Sequence, residues 1–344
     1  LGMEHPDTAN SLNSLASIYY VKGDFSRAEP LYQSALTIRE KVLGADHPDA
    51  AQTLNGLALL YHWKVSYAKA EPLYRRALDI REKALAPDHP DVARSLNNLA
   101  LFLQDKGEYE KVEPLYRRAL IIREAVLGSE HPEVAETLNN LGFFYFSKGD
   151  YAKAELLYQQ ALAIREKALA PSHPDIARSL YRLAELYQEK GDFTKVERLF
   201  QRALAIRRES FGPDHPLVAN ALYGLALFYQ ERGDYAQAVP LHEQALAIRE
   251  KMLGEDQLYV AESLRSLANI DRIKGDYARA ESRFQRALDI RRTLLGPEHP
   301  DVAESLTYLA LLYRDQGRYA EAEQMCQQAL AIREKSLGTE HANV

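Results

Sequence analysis

The sequence predicts an all-α chain, a solenoid of eight tandem helix-turn-helix repeats, and three observations carry that prediction. A His-Pro pair returns every 42 residues, at His5-Pro6, His47-Pro48, His89-Pro90, His131-Pro132, His173-Pro174, His215-Pro216 and His299-Pro300. One copy is overwritten as Gln257-Leu258 and the last reads His341-Ala342. Within each period apolar residues recur at helical spacing, and in seven of the eight a glycine interrupts them near the midpoint. A fixed period of this length marks one supersecondary unit copied many times, each burying its apolar face against its neighbours.

The copies fall at about 6–47, 48–89, 90–131, 132–173, 174–215, 216–257, 258–299 and 300–341, so 1–344 reads as a single solenoid domain. The first half of each copy reads as a helix. Repeat three shows Ala93, Leu96, Leu99, Ala100 and Leu103, an i, i+3, i+4, i+7 stripe. Proline and an acidic neighbour suit its first turn, because proline loses no bond there and the carboxylate meets the positive end of the dipole. Gly107 and its counterparts Gly23, Gly149, Gly191, Gly233, Gly275 and Gly317 end that helix, and the Asp that usually follows caps the next. The second helix is the longer one. Four copies carry a proline inside it, Pro30, Pro72, Pro114 and Pro240, which is expected to kink its first turns. Small residues recur in the first helix (Ala16, Ala58, Ala100, Gly142) and in the second (Ala35, Ala77, Ala119, Ala161), marking where the two approach.

Composition narrows the function. Net charge is −6 with both signs interspersed, which leaves no basic footprint for nucleic acid and no polybasic membrane patch. No apolar run approaches the ~20 residues that span a bilayer. A single cysteine, Cys326, excludes disulfides within the chain and suits a reducing compartment such as the cytoplasm. The chain starts at Leu1 near a repeat junction, as expected of a piece of a longer protein.

The string Leu15, Ala16, Tyr19, Gly23, Phe25, Ala28, Tyr32, Ala35, Leu36 resembles the tetratricopeptide repeat (TPR). The 42-residue period, the Ile-Arg-Glu-Lys run from Ile38 to Lys41 and the Leu-Gly-x-x-His-Pro linker are similar to the kinesin light chain subclass. The resemblance covers the whole chain. It implies a right-handed superhelix and a concave groove, lined by the first helix of each repeat, that binds peptides. Similar arrays also serve as sensor segments of signalling ATPases, so the resemblance specifies fold more sharply than function.

Helical geometry points to the same face. The stripe Asn10, Asn13, Ser17, Tyr20 and its copies vary between repeats, as expected where packing does not dictate identity. The first four repeats place Asn13, Asn55, Asn97 and Asn139 at one position. An amide both donates and accepts, so such a ladder suits the backbone of an extended peptide; the alternative is that it bonds neighbouring helices. Beside it lie Leu59, Leu101 and Phe143, then Tyr20, His62, Gln104 and Phe146. Repeats five to eight carry Tyr181, Tyr223, Arg265 and Thr307 at the asparagine position. Arg265 and Arg272 either accept acidic ligand residues or pair with Glu231, Glu262 or Glu304. In repeat two Val65 replaces the turn glycine beside the only tryptophan, Trp63, which is either a binding hot spot or a filler for a deformed turn. In repeat seven Asp271 stands where other copies have Tyr, making a bend or a weak joint.

Candidates for chemistry dissolve into the repeat. The linker histidines are whole repeats apart, about 10 Å, too far to share a metal. His242, Phe200 and Cys326 replace the large residue of the second helix and are expected in the core. The Arg series Arg39, Arg81, Arg123, Arg165, Arg207, Arg249, Arg291 and Arg333 is expected to form ion pairs between repeats. The chain therefore reads as a non-catalytic scaffold without cofactor or metal, binding a protein or linear peptide at micromolar affinity, about −8 kcal/mol. The rival readings are end-to-end self-association and the regulatory arm of a larger ATPase.

Overall fold

The computed structural model describes residues 5–337, which hold sixteen α-helices and no strand. The linker copy His341-Ala342 lies outside the described residues. Packing divides the chain into two compact units, Leu1–Asp192 and Phe193–Val344, a division that falls inside the fifth repeat. The first unit contains α1(Pro6–Val21), α2(Phe25–Leu43), α3(Pro48–Trp63), α4(Tyr67–Ala84), α5(Pro90–Asp105), α6(Tyr109–Leu127), α7(Pro132–Ser147), α8(Tyr151–Ala168) and α9(Pro174–Glu189). The second contains α10(Phe193–Phe211), α11(Pro216–Glu231), α12(Tyr235–Leu253), α13(Leu258–Ile273), α14(Tyr277–Leu295), α15(Pro300–Asp315) and α16(Tyr319–Leu337). Within each unit the helices pair as hairpins, and each later hairpin sets its first helix against the second helix of the one before. The fold is an all-α solenoid of helical hairpins.

Capping explains the helix boundaries. Each first helix except α13 starts at proline, behind a histidine whose Nδ1 accepts the backbone N–H two residues on. Each second helix whose cap is Asp24, Asp150, Asp234 or Asp276 starts with that carboxylate accepting an N–H three residues on. The four helices with internal proline run through it without a break, so the expected kink does not interrupt them. Proline here sits at the sixth residue, one turn into the helix, where only one backbone bond is lost.

The turn at Val65 is not deformed. Val65 takes φ 54°, the left-handed conformation that glycine takes elsewhere. Its N–H reaches His62 O at 2.9 Å and the Ser66 N–H reaches Tyr61 O at 2.8 Å, the same pair of bonds made at Gly23 and Asp24. A β-branched residue is strained there.

The Arg series corrects the expected ladder of ion pairs. Arg39, Arg81, Arg123, Arg165, Arg249 and Arg291 are buried. Their first partners are neutral: a hydroxyl fourteen residues on and, for all but Arg165, a carbonyl ten residues on, both in the next hairpin. Arg39 Nη1 lies 2.7 Å from Asp49 O and 2.6 Å from Thr53 Oγ1. Ser95, Thr137, Ser179, Ser263 and Ser305 serve the same role at 2.6–2.9 Å. Carboxylates join at Arg123 (Glu136, 3.0 Å), Arg249 (Glu262, 3.1 Å) and Arg291 (Glu304, 2.8 Å). Burial presses Arg81 and Arg165 down to about 10, still fully cationic at neutral pH. Each guanidinium therefore staples one hairpin to the next. At the sixth hairpin Ala221 replaces the hydroxyl, and Arg207 keeps the Leu217 carbonyl at 3.1 Å.

Phe200 and His242 are in the core as expected. Cys326 is exposed, against expectation. Its counterparts Tyr32, Tyr74 and Tyr158 are buried, and the two tested by geometry wedge against small residues: a Cβ at Gly142 would sit 2.8 Å from the Tyr158 ring, and one at Gly56 2.6 Å from Tyr32. Tyr32 meets Gly56 across a hairpin boundary, and no described helix follows α16 to cover Cys326 in that way.

Candidate functional site

The candidate face is the surface of the first helices, α1, α3, α5, α7 and α9 in the first unit and α11, α13 and α15 in the second. Its residues pair across neighbouring first helices with a step of 43: one repeat plus one position. Asn140 Nδ2 donates to Asn97 Oδ1 at 3.0 Å, and Gln104 Nε2 to Ser147 Oγ at 3.2 Å. His62 Nε2 lies 3.0 Å from Asp105 Oδ2. In the second unit Tyr223 Oη meets Ser266 Oγ at 2.9 Å, Arg265 Nη1 donates to Tyr308 Oη at 2.9 Å, and Arg272 pairs with Asp315.

The asparagine ladder is not an open surface stripe. Asn13, Asn55, Asn97 and Asn139 are only 8%, 6%, 5% and 5% exposed, at the floor of the face rather than on it. Asn55 Nδ2 donates to Ala51 O at 3.2 Å, back into its own helix. Asn97 spends its carbonyl on Asn140. The Oδ1 atoms of Asn13, Asn55 and Asn139 are buried without a donor. A buried carbonyl left unpaired costs about 1–3 kcal/mol, so three in one series is a structural demand for N–H groups.

Around that floor the first unit is apolar. Leu59, Leu101, Phe143 and Phe146 are half-buried. Phe143 and Phe146 stack with centroids 6.4 Å apart, and the Arg182 guanidinium lies 4.5 Å from the Phe143 centroid while its Nη1 holds Glu185 at 2.9 Å. The His62 ring packs edge-on against Phe102 at 5.2 Å. Tyr20 stands 6.0 Å from Phe25 and is half-buried, as is Tyr181. Gln104 is buried, with Oε1 unpaired. Trp63 is 49% exposed at the end of α3, so it fills no gap in the turn behind it.

The second unit is different. Tyr223 is buried at the asparagine position. The Arg265 guanidinium is held by two phenol hydroxyls, Tyr308 and Tyr223 (3.4 Å), lies 5.2 Å from the Tyr308 ring centroid, and buries an unpaired Nε. Burial opposes its charge, but Tyr223 and Glu304 outweigh burial and hold its pKa above the ordinary arginine value. Arg272 spends its charge on Asp315 and also bonds Asn269 Oδ1 at 3.1 Å. Glu262 and Glu304, expected partners of these two arginines, are engaged by Arg249 and Arg291.

Sequence reasoning missed Arg182, Asn140, Ser147, Ser266 and Tyr308, all on the face or paired with it. For Asn140, Ser147, Ser266 and Tyr308 the signal was present as the 43-residue step, since each sits one position beyond the copy of its partner. The hydroxyl series Thr53, Ser95, Thr137, Ser179, Ser263 and Ser305 was equally legible, fourteen residues after each arginine. Among the described residues no cluster of His, Cys, Asp or Glu is arranged to hold a metal, and no helix is long and apolar enough to cross a membrane. A hollow of about 390 Å³ lies on α14 and the preceding linker, lined by Asp256, Ser282, Gln285, Arg286 and Asp289, and contains none of the face residues.

Family models described as tetratricopeptide repeat match residues 8–49, 63–111, 91–167, 175–251, 259–335 and 301–344. Among solved structures, BtubC (BKLC) from P. vanneervenii is similar, with TM-score 0.54 and 23% identity over 69% of this chain and 92% of that one. A provisionally assigned kinesin light chain with nearly identical TPR-like repeats from Podosopora anserina gives TM-score 0.48 and 29% identity over 60% of this chain and 97% of that one. No curated protein matches the chain.

Proposed function

Because the chain belongs to the tetratricopeptide repeat family, whose repeats bind protein partners, we propose that it is a non-catalytic interaction scaffold whose first-helix face holds an extended segment of a partner protein. The observation that carries this reading is the set of unpaired carbonyls at Asn13, Asn55 and Asn139. An extended chain presents backbone N–H groups along its length, and acceptors on α1, α3 and α7, with the α5 copy Asn97 already taken by Asn140, suit such donors regardless of side chains. Leu59, Leu101, Phe143 and Phe146 offer half-buried apolar surface for side-chain selection, with Tyr20, His62, Trp63, Gln104 and Tyr181 along the margins. In the second unit Arg265, clasped by Tyr223 and Tyr308, suits a carboxylate, whereas Arg272 is already paired. A cytoplasmic setting suits the exposed thiol of Cys326.

The test is peptide display on this chain, repeated with Asn13→Ala, Asn55→Ala and Asn139→Ala together, and separately with Asn97→Ala. The triple substitution is expected to weaken selected peptides at least tenfold with helicity intact. Asn97→Ala is expected to do less, since Asn97 already has its donor. Equal losses, or none, would remove the asparagine carbonyls from the binding role. Enrichment of segments of this chain, with size growing as concentration rises, would instead indicate self-association.

A further inference from the structure

The seven linker histidines share one geometry that a structural spacer does not require. In each, Nδ1 accepts the backbone N–H two residues on: Asp7 at 3.2 Å, Asp49 at 3.1 Å, Asp91 at 3.1 Å, Glu133 at 3.2 Å, Asp175 at 3.2 Å, Leu217 at 3.2 Å and Asp301 at 3.2 Å. This is the N-cap bond of the first helix, normally made by Ser, Thr, Asp or Asn, none of which changes protonation near neutrality in that role. Histidine does. Only the ring with a bare Nδ1 can accept. Once protonated, Nδ1–H faces a backbone N–H about 3 Å away, and a cation stands at the positive end of a helix dipole.

We propose that the repeat junctions are a distributed pH-responsive device, in which protonation of the linker histidines releases the N-caps of the first helices and loosens the array. These helices carry the proposed binding face, so the device would couple partner grip to pH; that coupling rests on the binding reading, whereas the junction response does not.

Other charged groups crowd the junctions. Carboxylates two residues on lie beside the ring, with Oδ2 3.4 Å away at Asp7, 3.8 Å at Asp49, 4.0 Å at Asp175 and 3.9 Å at Asp301. Arg94 and Arg178 draw on the carboxylates of Asp91 and Asp175. From the preceding second helix, Arg39, Arg81, Arg123 and Arg291 reach the carbonyl of that same acidic residue. At His215 the residue two on is Leu217, so no carboxylate compensates there; Arg207 holds the Leu217 carbonyl, and the ring stacks on Phe211 at 4.4 Å. Burial lowers the pKa of His215. Burial also lowers that of His299, Asp301 opposes and Arg291 reinforces the shift, and the ring buries an unpaired Nε2. A folded-state pKa below the unfolded value means stability that is complete above about 6.5 and lost as pH falls through the folded value. His215 and His299 should therefore be the most acid-sensitive junctions. The seventh junction is exempt, since Gln257 makes no side-chain cap bond.

The test compares the chain with a variant carrying His47→Asn, His89→Asn, His131→Asn, His173→Asn, His215→Asn and His299→Asn, whose caps do not titrate. Between about pH 7.5 and about pH 5, the melting temperature of the parent is expected to fall at least about 5 °C further than that of the variant. His242 is common to both chains and cancels. Equal falls would overturn the proposal. Should the variant fail to fold, amide protection in the parent decides. First-turn amides of α11 and α15, corrected for intrinsic exchange, are expected to lose about tenfold in protection on acidification while mid-helix amides keep theirs. Constant first-turn protection, or loss in step with the mid-helix amides, would overturn it. If the junctions respond but affinity for a displayed peptide does not, the device stands and its coupling to binding falls.

Discussion

At the scale of single residues, two departures from the repeat have measurable consequences. Val65 occupies a left-handed turn position that costs a β-branched residue about 1–2 kcal/mol. Val65→Gly is expected to recover roughly 1 kcal/mol after the added chain entropy of glycine, seen as a higher denaturation midpoint with unchanged slope. A midpoint that falls would mean the Val65 side chain, 38% exposed beside Trp63, makes a contact worth more than the strain. His242 is the second case. It is fully buried, with Nε2 3.0 Å from Gln230 Oε1 and Nδ1 unpaired, and burial, reinforced by Arg249 and Arg265, lowers its pKa to about 4. The depressed value makes its contribution complete above about pH 6.5 and lost as pH falls toward 4, roughly 3 kcal/mol in all. His242→Phe, the residue used at Phe200 and Phe284, should flatten that part of the pH–stability curve. An unchanged curve would show that His242 does not titrate in this range.

At the scale of elements, the seams between hairpins follow a rule, and the seventh hairpin breaks it in a coordinated way. Tyr61, Tyr187, Tyr229 and Tyr313 each donate to a glutamate 32 residues earlier, at 2.7–3.1 Å. Where Asp271 replaces the tyrosine, Val239 replaces the glutamate and Arg283 replaces a core leucine. Asp271 and Arg283 pair at 2.5 Å in the interior, and burial raises the Asp271 pKa despite Arg283. A carboxylate raised next to its own counter-ion marks a pair whose desolvation exceeds its attraction. Asp271→Tyr with Arg283→Leu and Val239→Glu is expected to be neutral or stabilising by about 1–3 kcal/mol, while Asp271→Ala alone should cost about 1–3 kcal/mol by leaving Arg283 to the more distant Glu243 at 3.8 Å. Additive single and combined effects would deny the coupling. This joint keeps a helix of ordinary length and an ordinary turn, so it carries no bend of α13 itself. The arginine staple gives the complementary prediction. Arg123→Met should cost about 3 kcal/mol, since Thr137 and Glu136 lose a buried partner, and Arg207→Met less, since alanine stands in place of the hydroxyl at 221.

At the scale of the whole molecule, the proposed binding reading gives each unit its own recognition chemistry. The first offers acceptors, the asparagine carbonyls, within apolar surroundings. The second offers a donor, Arg265, held between two phenols. Peptides captured by the first unit should bind with little dependence on salt, because backbone N–H groups are neutral. Acidic peptides captured through Arg265 should weaken as salt rises, and Arg265→Gln should reduce their affinity about tenfold and remove most of that salt dependence. Titrations at low and high salt read both effects. Acidic peptides indifferent to Arg265→Gln would place their site elsewhere.

The sequence by itself determined everything that repeats. The 42-residue period set the number of helices, their boundaries and their order, because one local pattern of cap, apolar stripe and turn is written eight times and needs no distant contact to be read. It also pointed to the first-helix face, the surface proposed for binding. The tertiary structure alone decided what that face presents. The pairing of Asn97 with Asn140, the spent charge of Arg272 and the clasp of Tyr308 on Arg265 each depend on the residue 43 positions away on the neighbouring first helix. The arginine staple and the histidine caps depend likewise on atoms that meet only when hairpins stack or a chain turns into a helix. A period shows which positions are equivalent; only packing shows which of two equivalent side chains has already found its partner.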